Sequence, residues 1–137
     1  MKLDSSAFVA APELIEALEK RSTAIRCDED RVLFNQGETP QGLYILNRGE
    51  ITLTMTSPRG EKVMQFPARV GSLLGLPGLI SDEPYTLTAF ARNGAQLSFV
   101  ARDEFTSLMQ DDPQLALKIL VVLAAEVRSA RHALSDL

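Results

Sequence analysis

The sequence predicts a mainly β fold with flanking helices: a double-stranded β-helix, or jelly-roll barrel, with a short N-terminal helix and a long C-terminal dimerisation helix. Three observations predict it. Between Ala24 and Ala101 the apolar residues fall in short extended runs broken by turn residues about every ten positions. On either side of that stretch the apolar spacing changes to that of a helix. From Ala116 onward the apolar positions alternate steps of four and three up to the final residue.

In order, Met1 to Phe8 carry no periodicity and are expected to lie loosely along the surface. Ala11 to Arg21 place Leu14, Ile15 and Leu18 on one face, with Pro12 in the first turn, and predict an amphipathic helix. Extended runs follow at Ala24–Asp28, Arg31–Phe34 and Leu43–Asn47, separated by turns at Asn35–Glu38 and Asn47–Glu50. Ile51, Leu53 and Met55 alternate with Thr52, Thr54 and Thr56, which predicts a strand with one dry and one wet face. Pro58-Arg59-Gly60 turns the chain into Glu61–Phe66. Thr86–Arg92 and Gln96–Ala101 flank Asn93-Gly94, a two-residue hairpin signal. Such a sheet is expected to close on itself and hide its edges.

Arg102–Gln110 predict a short helix with Phe105, Leu108 and Met109 inward. Asp112-Pro113 then opens the long one, an acidic residue and a proline suiting a positive helix end. Along it Ala116, Leu120, Leu123, Val127, Ala130, Leu134 and Leu137 form a two-stranded coiled-coil seam, while Leu117, Val121 and Ala124 with Ile119 form a second stripe. One face is expected to pack on the barrel and the other on a second copy of the chain. The expected organisation is residues 1–112 as the jelly roll with its N-terminal helix and 113–137 as the dimerisation helix, with no DNA-binding domain.

Fourteen basic and 18 acidic side chains give a net charge of −4, and no segment clusters Lys and Arg. That excludes strong nucleic-acid binding by this domain alone, since neutralising phosphates needs a basic face. The single cysteine, Cys27, excludes an internal disulfide and a cysteine-ligated zinc or iron–sulfur site within one chain. The most apolar segment, Leu115 to Ala125, contains Lys118 and falls short of the roughly 20 residues that span a bilayer. With no signal peptide at its start, the chain is expected to be cytoplasmic and free of membrane contact.

The stretch most suited to chemistry is Gly71 to Ala91, GSLLGLPGLISDEPYTLTAFA. Gly71, Gly75 and Gly78 with Pro77 and Pro84 break the strands on either side into a structured connection, and glycines let backbone amides approach a bound group. The polar lining is limited to Ser72, Ser81, Tyr85 and Thr86, and Asp82 and Glu83 would repel a phosphate. The cradle lacks its charged partner.

The helix, the short-stranded jelly roll with its glycine-marked connection, and the long final helix together resemble the cyclic-nucleotide-binding domain of the catabolite activator and fumarate-nitrate-reduction (Crp/Fnr) regulators. The most specific segment is FNQGETPQGLYILNRGEITLTM, Phe34 to Met55, with its turns at Gly37-Glu38 and Gly49-Glu50 and the glycine of Gly42–Ile45. The resemblance implies that Gly71 to Ala91 is the phosphate-binding cassette. In the family a Gly-Glu pair holds the ribose 2′-hydroxyl, and an Arg followed by Ser or Thr neutralises the cyclic phosphate. Here the glycine is Gly75, the Glu position is Leu76, the Arg position is Tyr85, and only the hydroxyl remains, as Thr86. Pro77 and Gly78 complete the candidate ligand-binding set, and Arg69 and Arg92 are the nearest substitutes for the missing Arg. On the long helix, where relatives use hydroxyls to reach the purine, the match gives Ala130 and Arg131.

A buried phosphate without an arginine would cost several kcal/mol, so cAMP and cGMP are disfavoured as ligands. Haem is disfavoured too: its possible ligands are His132, Met55, Met64 and Cys27, with His132 on the exposed half of the last helix. A metal-dependent cupin enzyme needs several histidines, and the chain has one. The sequence therefore predicts a non-enzymatic regulatory sensor domain with a diverged cassette, of unidentified effector, in which DNA is read only by a domain outside this chain. The alternatives are a cyclic-nucleotide-binding domain using other contacts, and a ligand-free dimeric interaction domain whose pocket is filled by Leu73, Leu76, Leu79 and Tyr85.

Overall fold

The computed structural model describes residues 3–135. A 3-10 turn at Ser5–Phe8 is followed by α1 (Pro12–Glu19), then by β1 (Thr23–Arg26), β2 (Arg31–Phe34), β3 (Gly42–Arg48), β4 (Ile51–Thr56) and β5 (Lys62–Pro67). The two-residue β6 (Leu73–Leu74) and the short α2 (Leu76–Ser81) come next, then β7 (Thr88–Ala91), β8 (Gln96–Ala101), α3 (Arg102–Asp111) and α4 (Pro113–Ser135). The strands form two antiparallel four-stranded sheets, ordered β1-β8-β3-β6 and β2-β7-β4-β5. This is the predicted jelly roll, but among the described residues the sheets do not close into a barrel: each ends on edge strands, β1 and β6 in one sheet and β2 and β5 in the other, with Val9 bridging Ser72 beside β6.

The burial pattern of each strand follows from its layer. The first sheet has helices on its outer face and the second sheet on its inner face. In β3, Gly42, Leu43, Ile45 and Leu46 are accordingly all buried, with no alternation. The second sheet is wet outside, so in β4 Ile51 and Leu53 are buried while Thr52 and Thr54 are not. Between the sheets lies one core, including Phe34, Leu46, Leu53, Leu74, Tyr85 and Leu97. Beneath the helices lies a second, in which Leu43, Ile45, Leu73 and Val100 meet Leu14, Leu18, Leu76, Phe105, Leu115 and Ile119.

Three expectations are corrected. Asn93-Gly94 does turn, with Gly94 at φ +94°, but it joins no hairpin, because β7 and β8 belong to different sheets. Its amides are taken by the β1–β2 connection: Gly94 N donates to Cys27 O (2.7 Å) and Asn93 N to Asp30 Oδ1 (2.7 Å), while Cys27 N donates back to Ala95 O (2.9 Å). Residues 3–8 are not loose. Asp4 caps the 3-10 turn through its carboxylate, and Phe8 is buried against Phe66 at a centroid distance of 5.5 Å. Met1, Lys2 and the seam residue Leu137 lie outside the described residues.

The third correction concerns α4. Its core face is Leu115, Ile119, Val122 and Ala133, whereas Leu117 and Val121 are exposed, so of the expected second stripe only Ile119 packs inward. The seam residues Leu120 (58% exposed), Val127 (49%) and Leu134 (57%) face outward. Ala130 is exposed with them, and Ala116 and Leu123 are partly buried. Asp112 begins the helix, its side chain accepting from Gln114 N (3.1 Å).

Leu43 has no exposed surface and sits where the first sheet meets its helices. Leu43→Ala is expected to cost about 2–5 kcal/mol in urea unfolding. Val63→Ala on the wet face of β5, at a residue 45% exposed, should change stability by no more than about 0.5 kcal/mol. A loss below about 1 kcal/mol for Leu43→Ala would contradict burial of the first sheet on both faces.

Candidate functional site

The connection from Gly71 to Ala91 divides into three parts. Gly71, at φ +91°, turns the chain into β6, which pairs with Tyr44 and Ile45 of β3. Gly75, again at φ +91°, caps α2, whose second residue is Pro77. The helix ends at Asp82 in the left-handed region (φ +56°), the one non-glycine residue with positive φ among those described. The chain then runs through Tyr85 and bends at Thr86 and Leu87 before β7 begins at Thr88, two residues later than the sequence suggests. Ser81 Oγ closes back on Pro77 O (2.8 Å), and Ser72 is fully buried with its hydroxyl unpartnered.

Tyr85 ties these parts to the rest of the domain. Its ring stacks on Phe34 with centroids 4.0 Å apart, and its hydroxyl donates to Gly42 O at 2.8 Å in the buried interior. Its backbone pairs with the turn after β2: Tyr85 N donates to Glu38 O (3.0 Å), and Gly37 N donates to Tyr85 O (2.8 Å). Burial pushes the phenol above its ordinary range, so it remains a neutral donor. Gly75 is required twice, once for its positive φ and once because a Cβ there would lie 2.6 Å from the Tyr85 ring.

A second clamp holds the far end of α2. Arg102, at the start of α3, donates to Pro40 O (2.7 Å) and Leu79 O (3.4 Å) and pairs with Asp82 at 3.2 Å. Its charge is used in fixing the cassette from outside.

Between the cassette and α4 lies a cavity with about 20 Å³ of space open to the centre of a water, room for about one molecule. Of the residues picked from the sequence, Gly75, Pro77, Gly78, Tyr85 and Thr86 line it. Leu76 does not. It is fully buried in the core beneath the helices, as are Leu73 and Leu79, so none of the three fills the pocket. The filling comes from Phe8, Phe34, Leu53, Leu74 and Leu87. Neither candidate arginine reaches it: Arg69 donates to Ser5 Oγ (3.0 Å), and Arg92 pairs with Asp30 (3.6 Å) and lies over the Phe90 ring (5.0 Å). His132, Met55, Met64 and Cys27 are not among the lining residues either, nor are Ala130 and Arg131.

Sequence reasoning missed Glu126. From α4 it turns into this cavity, and its Oε2 is buried with no hydrogen-bond partner. Burial alone pushes its carboxyl from 4.5 up to about 8; no charged side chain contributes. A signal was present, because Glu126 continues the four-three series of Leu115, Ile119 and Val122 that faces the core.

Two outcomes follow. Tyr85→Phe leaves the buried Gly42 carbonyl without its donor and should cost about 1–3 kcal/mol in chemical denaturation; an unchanged midpoint would contradict the bond. Glu126 should make stability fall as pH rises. Between pH 4.5 and about 8 the folded protein keeps a proton that the unfolded chain has released, at roughly 1.4 kcal/mol per unit. The penalty is absent below that window and complete above it. Glu126→Gln should therefore melt higher than the parent at pH 8, with the gap closing toward pH 4.5, and a constant gap would contradict the burial.

Comparison with known proteins places this geometry. The model of the cyclic nucleotide-binding domain matches residues 24–112. The CRP-like cAMP-activated global transcriptional regulator of Mycobacterium tuberculosis is 25% identical over 126 residues, 92% of this chain and 56% of that protein. The lysophospholipase nte1 of Neurospora crassa is 23% identical over 86% of this chain but only 8% of that protein. The chain thus spans about half the length of the regulator it matches. Among solved structures, the catabolite activator protein of Thermus thermophilus superposes with a TM-score of 0.79 at 23% identity, over 91% of this chain and 59% of that one, a likeness of fold. On the match over 24–112 and the two-sheet architecture around β6 and α2, the chain belongs to the cyclic nucleotide-binding domain family.

Proposed function

We propose that the chain is the sensing domain of a Crp/Fnr-type transcription regulator whose phosphate-binding cassette no longer takes a cyclic nucleotide in the family's manner. The observation that carries this is Tyr85. By the resemblance it stands at the family's arginine position, and it is committed to Phe34 and Gly42, so that among the described residues no lysine or arginine lines the cavity. Glu126 adds an unpartnered carboxyl, which is hostile to phosphate once ionised. The wider setting is supported by the CRP-like regulator it resembles over most of its length.

In this reading two copies pair through Leu120, Leu123, Val127, Ala130 and Leu134 of α4, the outward stripe with coiled-coil spacing. A ligand entering between the cassette and Glu126 would shift α4 against the core, and pairing would pass the shift to the partner. DNA contact would fall to another part of the protein, since this domain carries a net charge of −4. The domain acts by binding rather than by catalysis. A second reading, a ligand-free dimeric interaction domain, is favoured by the cavity's small size.

Thermal melts with millimolar cAMP or cGMP test the cassette. No change in midpoint is expected; a rise of several degrees, the response to a ligand at about 100 times its dissociation constant, would contradict the proposal. Val127→Glu, which buries like charges in the seam, should halve the molecular mass seen by light scattering. A parent that is already monomeric, or a variant of unchanged mass, would contradict the pairing.

A further inference from the structure

Asn93-Gly94 lies outside the cassette, yet the pair carries chemistry of its own. The chain has three asparagines, Asn35, Asn47 and Asn93, and only Asn93 precedes a glycine. Asparagine is thermolabile because the backbone nitrogen of the next residue can attack its side-chain amide, and a glycine leaves that nitrogen without a side chain to shield it. The Gly94 nitrogen gives up its proton and bonds to Asn93 Cγ, the Cγ–Nδ2 bond breaks, and ammonia leaves. Water then opens the cyclic imide to aspartate or isoaspartate. No other reactant is required.

In the folded chain the attacking nitrogen is occupied. Ala95 N donates to Arg92 O (3.0 Å) and Gly94 stands at φ +94°, as the third position of a type II turn requires. The Gly94 N–H points into the β1–β2 connection and donates to Cys27 O at 2.7 Å, while Asn93 N donates to Asp30 Oδ1 at 2.7 Å. Asp30 is tied in turn to Arg92, at 3.6 Å. Packing gives no protection: Asn93 and Gly94 are exposed, and among the described residues nothing lies within 4 Å of where a Gly94 Cβ would sit. What withholds the nitrogen is its bond to the carbonyl of Cys27, a buried residue. That bond keeps the proton on Gly94 N and fixes the plane of its peptide, so the connection must lift before Asn93 can react.

We propose that Asn93 is a deamidation site controlled by the β1–β2 connection, reacting only when that connection releases Gly94 N. The change does not reverse. A carboxylate at position 93 joins Asp28, Glu29 and Asp30, exposed acidic residues of the same connection, and like charges so close repel. An isoaspartyl link also lengthens the backbone by a methylene between Asn93 Cα and Gly94 N, so the bonds to Cys27 and Asp30 cannot both re-form. Each opening that ends in reaction leaves the connection looser.

The test is storage of the whole chain at neutral pH beside a synthetic peptide of residues 89–97, which has the Asn93-Gly94 pair without the β1–β2 connection. Deamidation is read by mass after peptic digestion in acid, and hydrogen exchange of the Gly94 amide in the same buffer gives the fraction of time its nitrogen is free. The folded chain should deamidate at least about tenfold more slowly than the peptide, and the slowing should match that of Gly94 exchange to within about threefold. Asp30→Ala removes the acceptor of Asn93 N and the partner of Arg92, and in a chain that still melts cooperatively it should speed deamidation roughly fivefold. The comparison of deamidation with exchange in the unmutated chain decides the matter even where that variant does not fold. The aged, deamidated chain should melt below the fresh one. Deamidation at the peptide's rate, a slowing that departs from that of Gly94 exchange, a folded Asp30→Ala chain that reacts no faster, or an aged chain with an unchanged melt would overturn the inference.

Discussion

The hydrogen bond from Tyr85 to the Gly42 carbonyl, made while its ring lies on Phe34, is the contact on which the rest of the site depends. It joins β3, the turn after β2 and the end of the cassette at one buried point. The glycines around it follow from it: Gly75 must lack a side chain because the ring occupies that space. With Arg102 holding the far end of α2, the cassette backbone is fixed at both ends by contacts internal to the chain.

Electrostatics sharpen the difference. The arginines near the cassette are each engaged elsewhere, Arg69 with Ser5, Arg92 with Asp30 and Arg102 with Pro40 and Asp82. What reaches the cavity is a carboxyl on α4. The helix carrying that carboxyl also presents the exposed stripe suited to a second copy. In the proposed reading, sensing and pairing would meet on one helix, at the neighbouring residues Glu126 and Val127.

Much of this was legible in the residues. The alternation of Ile51 to Thr56, the Pro12 start of α1 and the Asp112-Pro113 start of α4 each specify their own element through local chemistry. What was not legible depended on distant partners. Asn93-Gly94 dictates a turn, but not that its amides go to Cys27 and Asp30 rather than to a neighbouring strand. β6 is two residues long, too short to show a period, and exists because Tyr44 and Ile45 receive it. Leu76, an apolar residue beside a cleft, reads equally as a plug or as core; the positive φ of Gly75 turns it into the core. On α4 two apolar series run side by side, one residue apart, and Glu126 interrupts the one that faces the core, so its period does not stand out.

In the proposed reading the cassette keeps its family's backbone while Tyr85 and Glu126 remove its affinity for a cyclic phosphate. The most direct measurement is a nitrogen-15 correlation spectrum of the domain titrated with cAMP to millimolar concentration, reading the amides of Gly75, Leu76, Gly78 and Thr86. If Tyr85 and Glu126 act in this way, these resonances should not move beyond the drift seen with inorganic phosphate. Saturable shifts confined to those amides would show that the backbone alone holds the nucleotide, and would contradict it.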